Sequence, residues 1–138
     1  MSLRQGEVIH YAYLWHWQAE RGETEGRKPR PVCVALPLRK CDKTHLFLLP
    51  LTTTAPRDGQ IALQVPPLEG RRAGLSAQTP GWLILSECNY DILETSYYLD
   101  PTDRPKGRFS EAFTSRIKAE LRQLIVAGRL TKVDRAGS

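Results

Sequence analysis

The chain has 138 residues, enough for one domain that buries roughly two thirds of the surface its unfolded form exposes, so folding requires neither disulfides nor metal. Its 20 Lys and Arg against 15 Asp and Glu give a formal charge of +5, an excess that favours polyanionic partners but lacks the dense basic block of a DNA-binding tail. The three cysteines, Cys33, Cys41 and Cys88, form no C-x-x-C pair, which argues against a disulfide framework or zinc knuckle and for a reducing cytoplasm.

No stretch approaches the ~20 apolar residues needed to cross a bilayer, and the N-terminal residues carry no apolar core resembling a secretory signal, so a soluble, unexported protein is expected. Residues 6–17 alternate: Ile9, Tyr11, Tyr13, Trp15 and Trp17 fall on one face and Val8, His10, Ala12, Leu14 and His16 on the other. That period of two predicts a first strand. Residues 18–29 are charged and contain glycine, which predicts a long exposed loop.

Residues 32–38 and 45–51 are apolar on both faces, as central strands of a small closed sheet are, with residues 39–43 as the polar turn between them. Residues 60–65 alternate until Pro66 and Pro67 stop them, and a fifth strand is predicted from Gly81 or Trp82 to Leu85, running into Ser86-Glu87-Cys88-Asn89. Residues 94–108 hold no sustained period and read as a connecting loop. Ser110 then has the character of an N-cap, with Phe113, Ile117, Leu121, Leu124 and Ile125 at helical spacing until Gly128. The expected fold is therefore mainly β, a barrel or sandwich of five short strands with one amphipathic C-terminal helix packed on it. Residues 1–128 form a single domain in this reading, and 129–138 a disordered tail.

Chemistry concentrates at a few positions. Arg30 stands directly before a buried strand, within a basic loop that also holds Arg27 and Lys28; a guanidinium fork there suits a phosphate while the loop follows the backbone. A solvated charged loop explains the same residues. Thr52, Thr53 and Thr54 end a buried strand and offer hydroxyls to an anion, although threonine is also an ordinary strand residue. Glu87 and Asn89 end a predicted strand and either line a cleft or form a turn. Trp17, nearest the loop, is a candidate for stacking on an unpaired base; a period-two aromatic face is equally a core. Among His10, His16 and His45, none has metal-site spacing, and His16 borders the basic loop. No Gly-rich phosphate loop, G-x-S-x-G elbow or H-E-x-x-H occurs, which leaves nucleotide hydrolysis, ester hydrolysis and zinc proteolysis without support.

The ordered set Gly6-Glu-Val-Ile, the loop 22–29, Arg30-Pro-Val-Cys-Val-Ala, Leu49-Pro-Leu-Thr-Thr and Trp82-Leu-Ile-Leu-Ser-Glu-Cys-Asn before a C-terminal helix resembles the PemK/MazF family of toxins. The resemblance implies an SH3-like small β-barrel with an appended helix, a homodimer, and a metal-independent, cofactor-free endoribonuclease (an mRNA interferase) neutralised by a cognate antitoxin. It carries two positions across, Arg30 as the catalytic arginine before proline and Thr52 as the catalytic threonine, with Glu87 standing where an acid is expected; Arg27, Lys28, Trp17 and Thr53 are RNA-binding candidates from their own positions beside these residues. The implied reaction is attack of a ribose 2′-hydroxyl on the adjacent phosphorus, leaving 2′,3′-cyclic phosphate and 5′-hydroxyl ends.

Two departures accompany the likeness. Some family members carry a histidine in the loop before Arg-Pro and an Arg-x-Asp triplet on the late strand; here the loop has Glu23 and Glu25, and the strand reads Leu85-Ser86-Glu87. A catalytically silent barrel that binds RNA or a protein, and a gyrase-poisoning toxin of the related branch, are the alternative readings.

Overall fold

Two apolar runs joined by a short polar turn make the hairpin on which the rest of the sheet is built. The computed structural model describes residues 2–26, 28–76, 81–100 and 102–137. β2 (Arg30–Lys40) and β3 (Lys43–Thr52) pair antiparallel, as residues apolar on both faces predict. Cys41 and Asp42 connect them with φ of 53° and 62°, a left-handed pair whose twist matches that of the flanking strands. The turn is tighter than the one expected over residues 39–43, and both strands are correspondingly longer.

A register shift between Val34 and Leu36 bends β2. β1 (Glu7–Tyr11) joins the outer edge of its first half, and β7 (Gly107–Arg108) joins β1. The opposite edge of β3 has two partners, β6 (Glu87–Ile92) along residues 45–48 and β5 (Gly81–Ile84) along residues 51–52. β4 (Ala62–Val65) extends β5, and β8 (Thr131–Asp134) runs parallel to β6. The described residues thus form one curled, mainly antiparallel sheet of eight strands, richer than the five expected because the late strand splits at Leu85 and Ser86 and because β7 and β8 form in segments read as loop and tail.

Each face of the sheet carries its own core. On one, Val8, Cys33, Leu49, Leu51, Leu83 and Cys88 pack with Phe113, Ile117, Leu121 and Leu124 of α3 (Glu111–Val126). Burial of each such aliphatic or aromatic side chain contributes roughly 1.5–3 kcal/mol. The Ser110 hydroxyl accepts from Phe113 N–H at 3.1 Å, and Gly128, at φ 69°, follows the helix end, the cap and stop that the sequence predicts. Ile125 differs from expectation: it is 51% exposed, because Leu124 already fills the stripe and the next residue lies about 100° further round the helix. On the other face Ile9, Tyr11, Tyr13, Val32, Val34, Leu46 and Leu48 cluster with Leu3 and Leu99.

The first strand is shorter than the alternation implies. β1 ends at Tyr11, and α1 (His16–Glu20) begins after Trp15, whose φ and ψ of −69° and 149° are still extended. Alternation persists beyond the ladder because Tyr11 and Tyr13 are both buried. The chain turns where Gln18 Oε1 accepts from Trp15 N–H at 3.0 Å, so Gln18 is buried rather than the start of an exposed loop. Pro66 and Pro67 end β4 as predicted, and Pro67 also opens α2 (Pro67–Arg72), where its fixed φ and missing donor suit the first helical position. Residues 129–138 correct the expected tail: 131–134 are β8 and Arg135 is buried, because the free edge of β6 offers this segment a ladder. No described helix is long and apolar enough to cross a membrane.

Candidate functional site

Arg30 opens β2 and Thr52 closes β3. Val32 pairs with Pro50, and continuing that register two residues outward on each strand puts Arg30 opposite Thr52. Glu87 opens β6, beside the same end of β3. A cleft of about 580 Å³ lies there, lined by Arg30, Thr52 and Glu87 together with Trp15, His16 and Trp17 of the α1 segment. Residues 54, 55 and 59 together with Arg57, Asp58, Gln60, Ser86, Arg129 and Thr131 complete its walls. Arg30 and Thr52 also line an adjoining hollow of about 920 Å³, which holds Lys28, Thr53, Pro66 and Pro67. The sheet therefore presents Arg30, Thr52 and the following Thr54 at the ridge between two depressions.

Arg30 is half-buried and its guanidinium carbon sits 5.1 Å from the centre of the Trp15 ring, a cation–π contact. Burial lowers its pKa, with the neighbouring Tyr13 opposing that shift; arginine nevertheless stays charged, because its ordinary value is far above neutrality. Among the described residues no carboxylate pairs with Arg30 and no acceptor takes its N–H groups. A partly desolvated cation with unclaimed donors is built to receive an anion. Thr52 Oγ1 accepts from Thr54 N–H at 3.1 Å, which leaves the hydroxyl proton to donate.

Glu87 is buried, and both of its bonds fall on one oxygen. Oε2 accepts from Tyr13 Oη at 3.0 Å and from His16 N–H at 3.0 Å, while Oε1 accepts from no described residue. Burial pushes its pKa above the ordinary 4.5, and the His16 N–H, the Tyr13 hydroxyl and the His16 charge oppose that rise. Desolvation is the larger influence, so the carboxylate is a better proton acceptor than an exposed one. His16, also on the cleft wall, pairs through Nε2 with Glu20 Oε1 at 2.5 Å.

The sequence-predicted residues divide accordingly. Arg30, Thr52, Glu87 and Trp17 share the first cleft. Lys28 and Thr53 line the adjoining hollow, across the Arg30 ridge; Arg27 lies outside the described residues. Trp17 is 37% exposed with the Arg21 guanidinium 5.0 Å from its ring centre. Asn89 forms no part of the cleft: its amide accepts from Leu14 N–H at 2.9 Å and donates to Leu14 O at 2.7 Å, pinning the α1 segment from beneath. His10 and His45 lie elsewhere, His45 Nδ1 being 2.6 Å from Tyr90 Oη.

Sequence reasoning missed Arg57, Gln60 and Arg129. Arg57 and Gln60 belong to a turn closed by Gln60 N–H on Arg57 O at 2.9 Å, and Arg129 follows the Gly128 stop; only the Gly signals at 59 and 128 hinted that the chain reverses there. Among the described residues no three His, Cys, Asp or Glu side chains gather to hold a metal ion. Comparison with family models, curated proteins and solved structures finds no match for this chain.

Proposed function

We propose that this cleft cleaves single-stranded RNA without a metal, the activity of the toxin component of a toxin–antitoxin pair. The observation that carries the reading is the half-buried Arg30, unpaired with any described carboxylate, opposite Thr52 and in one cleft with Glu87. With Asp58 as the one further acid beside Glu87, Arg57 and Arg129 keep the arginines of the walls in excess, as a polyanion requires. The cognate antitoxin and a homodimeric state rest on the sequence resemblance alone.

In this mechanism the Oε1 oxygen of Glu87 takes the proton of the ribose 2′-hydroxyl as that oxygen attacks phosphorus. The O2′–P bond forms while the P–O5′ bond breaks, and the leaving oxygen receives a proton from solvent. Negative charge builds on the phosphoryl oxygens, where Arg30 and the Thr52 hydroxyl supply fixed donors in a partly dry site. The products are a 2′,3′-cyclic phosphate and a 5′-hydroxyl.

The test is incubation of wild type and Arg30→Ala with a long single-stranded RNA in EDTA, with fragment ends resolved on a gel. Discrete fragments ending in cyclic phosphate are expected from wild type, with a rate lower by roughly 10²- to 10³-fold for Arg30→Ala, the usual loss on removing one such donor. Equal cleavage by both proteins would remove Arg30 from the site, and intact RNA in both lanes would remove the ribonuclease reading.

A further inference from the structure

Arg135 follows β8 and is 7% exposed. It pairs with no carboxylate among the described residues, an arrangement that is costly unless carbonyls and ring faces replace the lost water. They do so here, and two of them, the Ala12 and Thr24 carbonyls, belong to the segment that walls the cleft. Nη1 donates to Ala12 O at 2.7 Å and to Asn89 Oδ1 at 3.0 Å, and Nη2 to Thr24 O at 3.4 Å. The guanidinium carbon lies 3.9 Å from the ring centre of Tyr98 and 5.5 Å from that of Tyr11.

The contacts straddle α1. Ala12 precedes it and Thr24 follows it, so one guanidinium closes both ends of the excursion that carries Trp15, His16 and Trp17 to the cleft. Tyr98 Oη donates to the same Thr24 carbonyl at 3.1 Å, and Gly26 packs so closely on Ala12 O that a side chain there would collide with it. Among the described residues the excursion is also tied to the sheet by the Asn89 amide on Leu14, by the Glu87 carboxylate on Tyr13 and His16, by the Arg30 guanidinium on the Trp15 ring and by the burial of Tyr13 and Leu14. None of these ties is a strand ladder, so each side-chain anchor matters more than its count suggests.

We propose that Arg135 is a positioning residue: a C-terminal latch that holds the Trp15–His16–Trp17 wall against Arg30 and so sets nucleic-acid affinity in the cleft without touching the ligand. The latch itself stands on geometry; its consequence for RNA rests on the ribonuclease reading. Loss of the latch loosens the wall, weakens stacking on the tryptophans and raises KM; the Arg30–Thr52 ridge, built on ladder-paired strands, keeps its geometry, and kcat falls only as far as the Tyr13 and His16 donors to Glu87 loosen with the wall.

The experiment is hydrogen–deuterium exchange of wild type and Arg135→Met, reading peptide 12–26 against peptide 43–52, with KM and kcat for cleavage measured beside it. Exchange in 12–26 is expected to rise at least about tenfold, with 43–52 unchanged, the pattern of local opening below the global one. Arg135→Lys, which keeps one charged donor, is expected to restore part of the protection. Exchange in 12–26 equal to wild type would overturn the latch, as would a loss confined to kcat. Should Arg135→Met unfold throughout, Tyr98→Leu removes the ring beneath the guanidinium, and the same comparison of peptides decides. Local loosening in a protein that cuts no RNA would sustain the latch and sink the ribonuclease reading alone.

Discussion

Two buried tyrosine–carboxylate pairs lie at opposite ends of β6, and they are finished differently. Asp91 is 0% exposed and three donors converge on it: Tyr11 Oη at 2.7 Å and Ser96 Oγ at 2.6 Å on Oδ2, and Ile92 N–H at 2.8 Å on Oδ1. Glu87, four residues earlier on the same strand and 8% exposed, has both its described donors on Oε2 and none among the described residues on Oε1. Burial raises the Glu87 pKa despite those two donors. A carboxylate saturated on both oxygens holds a fold together; one left half-satisfied at a cleft is held in readiness for something else. That difference separates the anchored end of β6 from the end at the cleft more sharply than exposure does.

Asp91→Ala is the strongest way to test the structural half of the comparison. It strands the Tyr11 and Ser96 hydroxyls and the Ile92 N–H in the interior, and should cost about 3 kcal/mol or more in urea denaturation. Tyr11→Phe removes one of the three donors and should cost about 1 kcal/mol in the same measurement. A cost for Asp91→Ala below that of Tyr11→Phe would mean the pair is not the anchor described here.

The chemical half is tested by smaller changes. Tyr13→Phe deletes a donor that lowers the Glu87 pKa, so the acid limb of the pH–rate profile for RNA cleavage should move to higher pH. For stability, the folded carboxyl titrates above its ordinary 4.5, so between that value and the raised one the folded state holds a proton that the unfolded state has lost. The stabilisation this brings is fully present below pH 4.5 and is lost as pH rises through the folded value. The Tm of Glu87→Gln should therefore gain on wild type as pH rises across that interval, a small effect read by thermal scans at several pH values.

Much of the fold was legible because its signals are local. The apolar runs of β2 and β3 and the Ser110-to-Gly128 frame of α3 each declare themselves within one window of sequence. β8 did not, because a four-residue strand that pairs in parallel with β6 is stabilised only by a partner distant in the chain. α1 was masked by true alternation: Tyr11 and Tyr13 are both buried, though only Tyr11 lies in a ladder. For the candidate site, Arg30, Thr52 and Glu87 stood out at strand ends, where motif order drew attention to them. Arg57 and Arg129 sit in turns without periodic context, and the opposed fates of Glu87 and Asp91 depend on which donors the folded chain brings to each oxygen.

Glu87→Gln tests the central claim most directly, since the amide oxygen can still accept from Tyr13 and His16 while the proton-accepting charge is gone. Cleavage of single-stranded RNA in EDTA should fall at least about a hundredfold, the usual contribution of a positioned base, with Tm at pH 7 equal to or above that of wild type. Cleavage at the wild-type rate by a folded Glu87→Gln would contradict the assignment of Glu87 to the chemistry of this cleft.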